Sequence, residues 1–512
     1  NAQAEQRALQ SEAKIASLQR QLLWLQRQIF GQKSERLSDL PGEVLPGLDW
    51  SVPSEAPPPP PVAIPPHTRQ SASKNGSQTL DWPADLPRVE VLVDVPEAER
   101  TLPDGTKLVR IGEDRSLKLA FRPQEYYLKE IVRPRYADPR QPRLGVVQEL
   151  MPPTLVPGSK FDDSFMAHIV VQKFVYHLPL YRLVEHFGSR ELRISLQTLS
   201  QLVMSCGQRV IPLVKLMNQR LLHSGCLCTD DTPLKMQSAG RCREVRVWVY
   251  VGALPQAPPY HVYRFSPDRS HRHPQAHLAD FEGVIHADAF GAYVTMAEAS
   301  PTTVTWGACW SHGRRKFEEL PGNEDGLRDW VLGQIRKLFL YERLAWKHGA
   351  ETRLWLRQER ELPVVDALYE RLRAAVASGQ ILPRSSLAGA IGYLQRYEKH
   401  FRAYLSDARM RMDNNPAERA LRKLCIGRKN WLFVGSETAG ESMAALLSLT
   451  QTCRAMGINP QSYLEDLFRH LQDSPAKDLA QWLPDAWQAR QSTSATAPEP
   501  LPVLPDDAPP SA

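Results

Sequence analysis

Between residues 226 and 310 five short β-flavoured runs follow one another: "CLCTDD", "EVRVWVYVGAL", "YHVYRFS", "GVIHAD" and "TVTWGACW". The sequence then turns helical from about 322 to 408, with strongly periodic stretches such as "DWVLGQIRKLFLYERLAWKH", before "CIGRKNWLFVG" at 425–435 resumes a β-flavoured, glycine-containing pattern. Clustered strands with helices demand an α/β core, and the return of strand pattern predicts that the helices are inserted rather than appended.

Two of the runs end in aspartate. Asp230 closes the first, ahead of Thr232-Pro233, where proline is expected to end a central strand; Asp288 closes the fourth. A third acid, Glu418, follows Asn415-Pro416, a helix start with proline in its first turn, and shares a face with Asn414 four residues before it. An aspartate at a strand end ordinarily caps a turn, and a glutamate in a first turn ordinarily complements the helix dipole. The constellation carries the case instead: strand acid, strand acid, insertion and helix acid, spaced 58 and 130 residues apart. That order suits two hard divalent cations, Mg²⁺ or Mn²⁺, held by carboxylates for in-line displacement at phosphorus.

Charge clustering fits a polyanionic substrate. Residues 409–431 carry seven cationic side chains against Asp413 and Glu418. Arg411, Arg419, Arg422, Lys423, Arg428 and Lys429 are candidate contacts to a nucleic-acid backbone, and Trp431 is a candidate stacking surface for an unpaired base. "CWSHGRRKFEE" adds Arg314, Arg315 and Lys316, as phosphate contacts or as a solvated helix start. The histidines of "DRSHRHPQAH", 268–277, have spacings that suit no metal.

At 512 residues the chain requires several domains. Residues 1–40 hold a heptad seam (Ile15, Leu18, Leu22, Leu25, Ile29), read as a coiled coil that pairs copies of the chain or as one helix packed on its own protein. A Pro-rich linker occupies 41–79, and a small β-rich module is expected over 80–150. Helices are expected over 151–222, where the pair joined across "GSRELRI" fits a helix-turn-helix or a pair packed only for burial. The core then spans 223–435, a helical segment 436–475 and a largely disordered tail 476–512. Seven cysteines without a C-x-x-C pair predict reduced, buried thiols in a cytoplasmic protein, and no membrane span or secretory signal is expected.

The stretches "FGQKSERL", "HLPLYRLVEHF", "TDDTPLKM", "YRFSPDRS", "HADAFGAY", "CWSHGRRKF" and "MDNNPAERALRKLCIGRKNWLFVGS" together resemble the insertion sequence 66 family of bacterial transposases, up to about residue 470. The resemblance implies a ribonuclease-H-like catalytic domain with an Asp, Asp, Glu triad, carried over to Asp230, Asp288 and Glu418. It implies cutting and joining of the element's terminal inverted repeats into target DNA near the nucleoid, and accessory proteins of the same element. Two positions depart from the family pattern. The places of a cysteine-ligated zinc module read "ERTLPDGTKL" and "PRYADPRQPRL", so no zinc is expected; and Asp231 stands where the first motif usually has glutamate, its side chain expected on the face opposite Asp230. The competing readings are a DNA-binding relic without activity and a metal-dependent nuclease that cuts without joining.

Overall fold

The computed structural model describes residues 86–493 apart from 97–99, 101–106, 108, 123–124, 138–145, 239, 255–256, 301 and 321–325. The heptad segment, the Pro-rich linker and residues 494–512 lie outside the described residues.

A first sheet is built from β1 (Arg88–Leu92), β2 (Val109–Arg122), β3 (Glu125–Ala137) and β4 (Val147–Gln148), with β2 and β3 forming a long hairpin and β1 and β4 pairing β3. Its apolar face, which includes Leu119, Phe121, Tyr126 and Leu128, is buried on helix α1 (Asp163–Phe174). Asp162 caps that helix and also holds Lys129 at 3.1 Å, and the Phe121 ring stacks on His168 with centroids 3.7 Å apart. The helices α2 (Leu180–Gly188) and α3 (Leu196–Leu222) follow. Ser195 caps α3 as its sequence suggests. The inner face of α3, from Leu199 to Leu221, is buried, and its first half carries no Lys or Arg before Arg209. Gly207 lets α3 approach the C-terminal helices closely, since a Cβ there would lie 2.5 Å from that of Ser442. On α2 the buried side is Leu180, Leu183 and Phe187, while Tyr181, Arg182, Glu185 and His186 are exposed.

The second sheet contains β5 (Cys226–Ser238), β6 (Arg241–Gly252), β7 (His261–Ser266), β8 (Gly283–Ala287), β9 (Val304–Ala308) and the short β10 (Phe433–Val434). Its order is β7-β6-β5-β8-β9, with β10 beside the far end of β5; β5, β6 and β7 are antiparallel neighbours, whereas β8 and β9 run parallel to β5. The helices α4 (Arg272–His277), α5 (Gly291–Ala299) and α6 (Trp310–Glu318) connect and extend these strands. One expectation is corrected: β5 does not stop before Pro233 but pairs with β6 as far as Ser238. The parallel ladder with β8 ends at Cys228, so the missing proline N–H falls where no strand adjoins it, and Arg428 donates to the Pro233 carbonyl there.

Between β9 and the return to the sheet lie α7 (Leu327–Ala345), α8 (Ala350–Leu356), a π-helical turn (Arg357–Glu361), α9 (Leu362–Ala377), α10 (Ser386–Arg396) and α11 (Glu398–Arg402). Val331, Ile335 and Leu338 line the buried stripe of α7, and Val365, Leu368, Tyr369 and Leu372 that of α9. At the centre sits Arg357, fully buried. It pairs with Glu342 through two hydrogen bonds of 2.6 and 2.8 Å and donates to the carbonyls of Tyr404, Asp407 and Met410 at 2.8, 2.9 and 2.8 Å. One side chain thereby ties two insertion helices to the segment that re-enters the core.

That segment leads into α12 (Asn415–Trp431), β10, α13 (Glu437–Ala455) and α14 (Pro460–His470). Residues 476–493 depart from the expected tail: a 3₁₀ turn (Ala476–Trp482) and α15 (Pro484–Thr493) are folded, with Trp482, Leu483 and Trp487 buried. The Trp487 indole donates to Asp466 at 2.7 Å and Tyr463 to the Trp482 carbonyl at 2.7 Å. Two tryptophans supply enough apolar area to fold an otherwise tail-like Pro/Ala/Gln sequence. No helix among the described residues is long and apolar enough to cross a membrane.

Because Arg357 is desolvated and fully paired, Arg357→Met leaves Glu342 buried without its partner. A loss of about 3–5 kcal/mol in unfolding free energy is expected, measured by urea denaturation.

Candidate active site

The parallel register of β5 and β8 pairs Cys226 with Val284, Leu227 with Ile285 and Cys228 with His286, an offset of 58 residues. The same offset separates Asp230 from Asp288, so the two aspartates come level where the ladder runs out and the strands diverge. Each has one oxygen fixed by local backbone: the Asp231 N–H donates to Asp230 Oδ1 at 2.8 Å, and the Phe290 N–H to Asp288 Oδ1 at 3.2 Å. The second oxygen of each is not held in this way.

Helix α12 brings Glu418 to them. Its N-cap, Asn414, makes no capping bond through its side chain; the side-chain amide instead donates to the Thr229 carbonyl at 2.7 Å, one residue before Asp230. Asp413 does the capping, accepting from the Asn415 N–H at 3.1 Å. The Asn414 N–H reaches the Cys309 sulfur at 3.2 Å, and the Tyr263 hydroxyl donates to the Ala420 carbonyl at 2.8 Å. The first turn of the helix is thus fastened to β5, β7 and the start of α6. Glu418 Oε1 is enclosed 3.7 Å from His312 Nδ1, and neither atom has a hydrogen-bond partner among the described residues.

Electrostatics bind the three acids together. Burial first, then the charge of Asp288 and, more weakly, Glu418, push the Asp230 carboxyl up from 3.8 to about 7. Burial also raises Asp288, against the opposing pull of His312 and Arg269. Two buried aspartates raised in this way, with Glu418 Oε1 unpartnered among the described residues, are what a hard divalent cation relieves. Alongside them, the Cys309, His312 and Glu418 ligand atoms lie within 4.8 Å of one another, although burial pushes the Cys309 thiol up to about 12.

Comparison with known proteins now adds to this geometry. Residues 158–442 match the family described as "Transposase IS66 family", 448–484 the "IS66 C-terminal element", and 17–91 the "Transposase C of IS166 homeodomain". The chain belongs to the IS66 transposase family. Among its relatives are two proteins of Sinorhizobium fredii (strain NBRC 101917 / NGR234), both described as uncharacterized. It is similar to y4hP at 29% identity over 94% of this chain and 90% of that protein, and to y4jD at 31% over 93% and 96%.

Against that family frame, the basic residues divide. Arg315, Lys316, Arg419, Arg422 and Lys429 are exposed, and Arg314, half-buried, pairs with Glu318 at 2.8 Å. Lys423 is half-buried. Two others are half-buried and also engage neighbours within the fold: the Arg411 guanidinium lies 4.2 Å from the Trp346 ring centroid, and Arg428 donates to Thr232 Oγ1 at 2.7 Å. Trp431 is half-buried beneath the Lys173 ammonium, 5.2 Å from its ring, so it does not present an open stacking face. Asp231 is also more engaged than expected. It accepts from Arg246 at 3.2 Å and from Arg269 at 2.9 Å, and its side chain is 3% exposed. Arg269 is a site residue whose role the sequence did not mark, since a single arginine in a loop carries no spacing signal, whereas Asn414 was legible from its place four residues before Glu418. His312 was legible only as part of a basic run.

The raised Asp230 carboxyl fixes a sign. A folded-state value near 7 against an ordinary 3.8 means the folded chain holds this proton longer than the unfolded chain, so its destabilising contribution grows from about pH 4 and is complete above pH 7. In metal-free protein Asp230→Asn is expected to raise the melting temperature by several degrees at pH 8 and by less at pH 5, read by calorimetry.

Proposed function

We propose that this IS66-family chain is a DNA transposase of the Asp-Asp-Glu type, with a ribonuclease-H-like catalytic core in which Asp230, Asp288 and Glu418 are the catalytic carboxylates. The observation that carries the reading is the shared 58-residue offset that levels Asp230 with Asp288, with Glu418 fastened above by the Asn414–Thr229 bond. The strand order, with three antiparallel strands flanked by two parallel ones and a helical insertion ahead of the third acid, agrees with such a core.

Asp230, Asp288 and Glu418 would hold Mg²⁺ or Mn²⁺, two ions per site, which supply Lewis-acid stabilisation of attacking and leaving oxygens at phosphorus. The chain's own residues do the rest. Asp230, whose carboxyl is raised by burial when no cation faces it, would serve in its deprotonated form as a hard oxygen donor. Asn414 keeps Glu418 from drifting along the helix axis. Arg419, Arg422 and Lys429 sit on the exposed side of α12, where they would track the phosphate backbone of an element end while target DNA enters beside Arg315 and Lys316. Water and then a freed 3′-hydroxyl serve as nucleophiles, so no covalent protein intermediate forms. The partners are therefore the element's terminal inverted repeats and target DNA, with pairing of two copies through residues 1–40, end recognition through the segment that resembles a homeodomain, and accessory proteins of the same element.

The test is cleavage and joining of a labelled duplex carrying the terminal repeat that flanks this reading frame, with purified full chain in Mg²⁺ or Mn²⁺. Joined product in wild type, falling at least about 100-fold in Glu418→Gln, is expected, since a lost metal-ligating carboxylate removes several kcal/mol of charge stabilisation. Binding without cleavage would identify a DNA-binding relic; cleavage without joining would identify a nuclease.

A further inference from the structure

Arg269 lies on the loop between β7 and α4 and meets the acid cluster from its open side. Its Nε and Nη2 grip the Asp231 carboxylate at 3.1 and 2.9 Å, its Cζ lies 4.6 Å above the Phe290 ring, and its Nη2 stops 3.9 Å from Asp288 Oδ2. The loop itself is fixed. Asp268 Oδ1 accepts from the Ser270 N–H at 2.8 Å, its Oδ1 also meets His273 at 2.7 Å, and the Asp268 carbonyl accepts from Ser266, which in turn holds the Trp248 indole at 2.8 Å.

A purely structural ion pair does not explain this arrangement. Asp231 already has Arg246 as a partner, at 3.2 Å. Arg269, by contrast, is 43% exposed, while the carboxylate that anchors it is 3% exposed. Among the described residues its Nη1 has no hydrogen-bond partner. The gap to Asp288 is too long for a hydrogen bond, so the guanidinium faces the acid cluster with donors unspent. Fixed on one edge, stacked on one face and open on the other edge, it has the form of a fork for a phosphate. The location also matters, because a cluster of three acids repels a polyanion, and Arg269 is the cation that adjoins Asp288.

We propose that Arg269 contacts a DNA phosphate at the mouth of the acid cluster and that Asp231 is its positioning residue. Asp231 therefore holds an arginine rather than a metal ion. This rests on the transposase reading, which supplies the DNA.

The experiment uses full-length chain and the same labelled terminal duplex. Binding is followed by fluorescence anisotropy across a salt series without divalent metal, and single-turnover cleavage is followed in Mg²⁺. Arg269→Gln is expected to reduce the slope of log K against log salt by about 0.9, the loss of one neutralised phosphate. Arg269→Lys is expected to keep the slope but not the wild-type cleavage rate, because the ammonium lacks the planar fork. Asp231→Asn is expected to keep the slope and lower single-turnover cleavage by about 10-fold or more, through misplacement alone. An unchanged slope and affinity in Arg269→Gln, with only its melting temperature lowered, would make Arg269 a structural ion pair and overturn the proposal. Failure of the wild type to cleave, or full cleavage by Glu418→Gln, overturns the transposase reading alone, since the salt slope still decides Arg269. A wild type that does not bind the duplex overturns both.

Discussion

The pairing of β5 with β8 is the constraint on which the rest depends. A parallel register admits no small adjustment, because a slip of one residue turns every side chain to the other face of the sheet. Here that register must satisfy two demands together. Leu227 and Ile285 have to stay in the core, and Asp230 and Asp288 have to emerge level where the strands part. The buried residues on either side of the ladder therefore do the aligning, and the acids inherit their alignment from apolar packing. The cost appears as the raised Asp230 carboxyl, since a site aligned by a dry core is itself partly desolvated.

Glu418 reaches the same place by a longer route, across an insertion whose helices share their buried residues with the core of the sheet. Loop-closure entropy alone would leave the third acid poorly placed after such an excursion. The fold removes the freedom at both ends. Arg357 ties the insertion to residues 404–410, and the next residue, Arg411, donates its N–H to His286 at 3.0 Å, two residues before Asp288. His286 is fully buried and held neutral, with burial pushing it down to about 3, so it remains an acceptor across the physiological range. Asn414 then fastens the helix to β5. The insertion acts as a splint between the second and third acids.

Much of this was legible in the sequence, and the reasons differ by element. The strands of the second sheet were readable because β-branched and aromatic residues alternate between turn signals, and the α12 start because proline fixes a first turn. Asp230, Asp288 and Glu418 followed from those two facts. Charge was read less well. A run of arginines looks like a solvated or DNA-facing surface, yet Arg411 stacks on Trp346, Arg428 satisfies the β5 backbone and Arg357 is buried in full. Sequence carries no mark that separates an arginine spent on carbonyls from one kept for phosphate, because the difference lies in partners far away in the chain. Residues 476–493 failed for the opposite reason: their polar composition hid two tryptophans that need only a neighbouring groove to fold.

That difficulty bears on how the site balances its charges. In the described fold Arg422 and Lys429 stand four and eleven residues beyond Glu418 on α12, so they share its face, yet both are exposed and no arginine or lysine among the described residues pairs with Glu418. An arginine brought within bonding distance of Glu418 would satisfy its free oxygen and compete with any divalent ion for it. Oε1 is left instead 3.7 Å from His312 Nδ1, with no hydrogen-bond partner among the described residues. The long arginine and lysine side chains carry their charge out to solvent while the shorter Glu418 stays half-buried, so the cations are kept off the carboxylate by reach and not by facing another way.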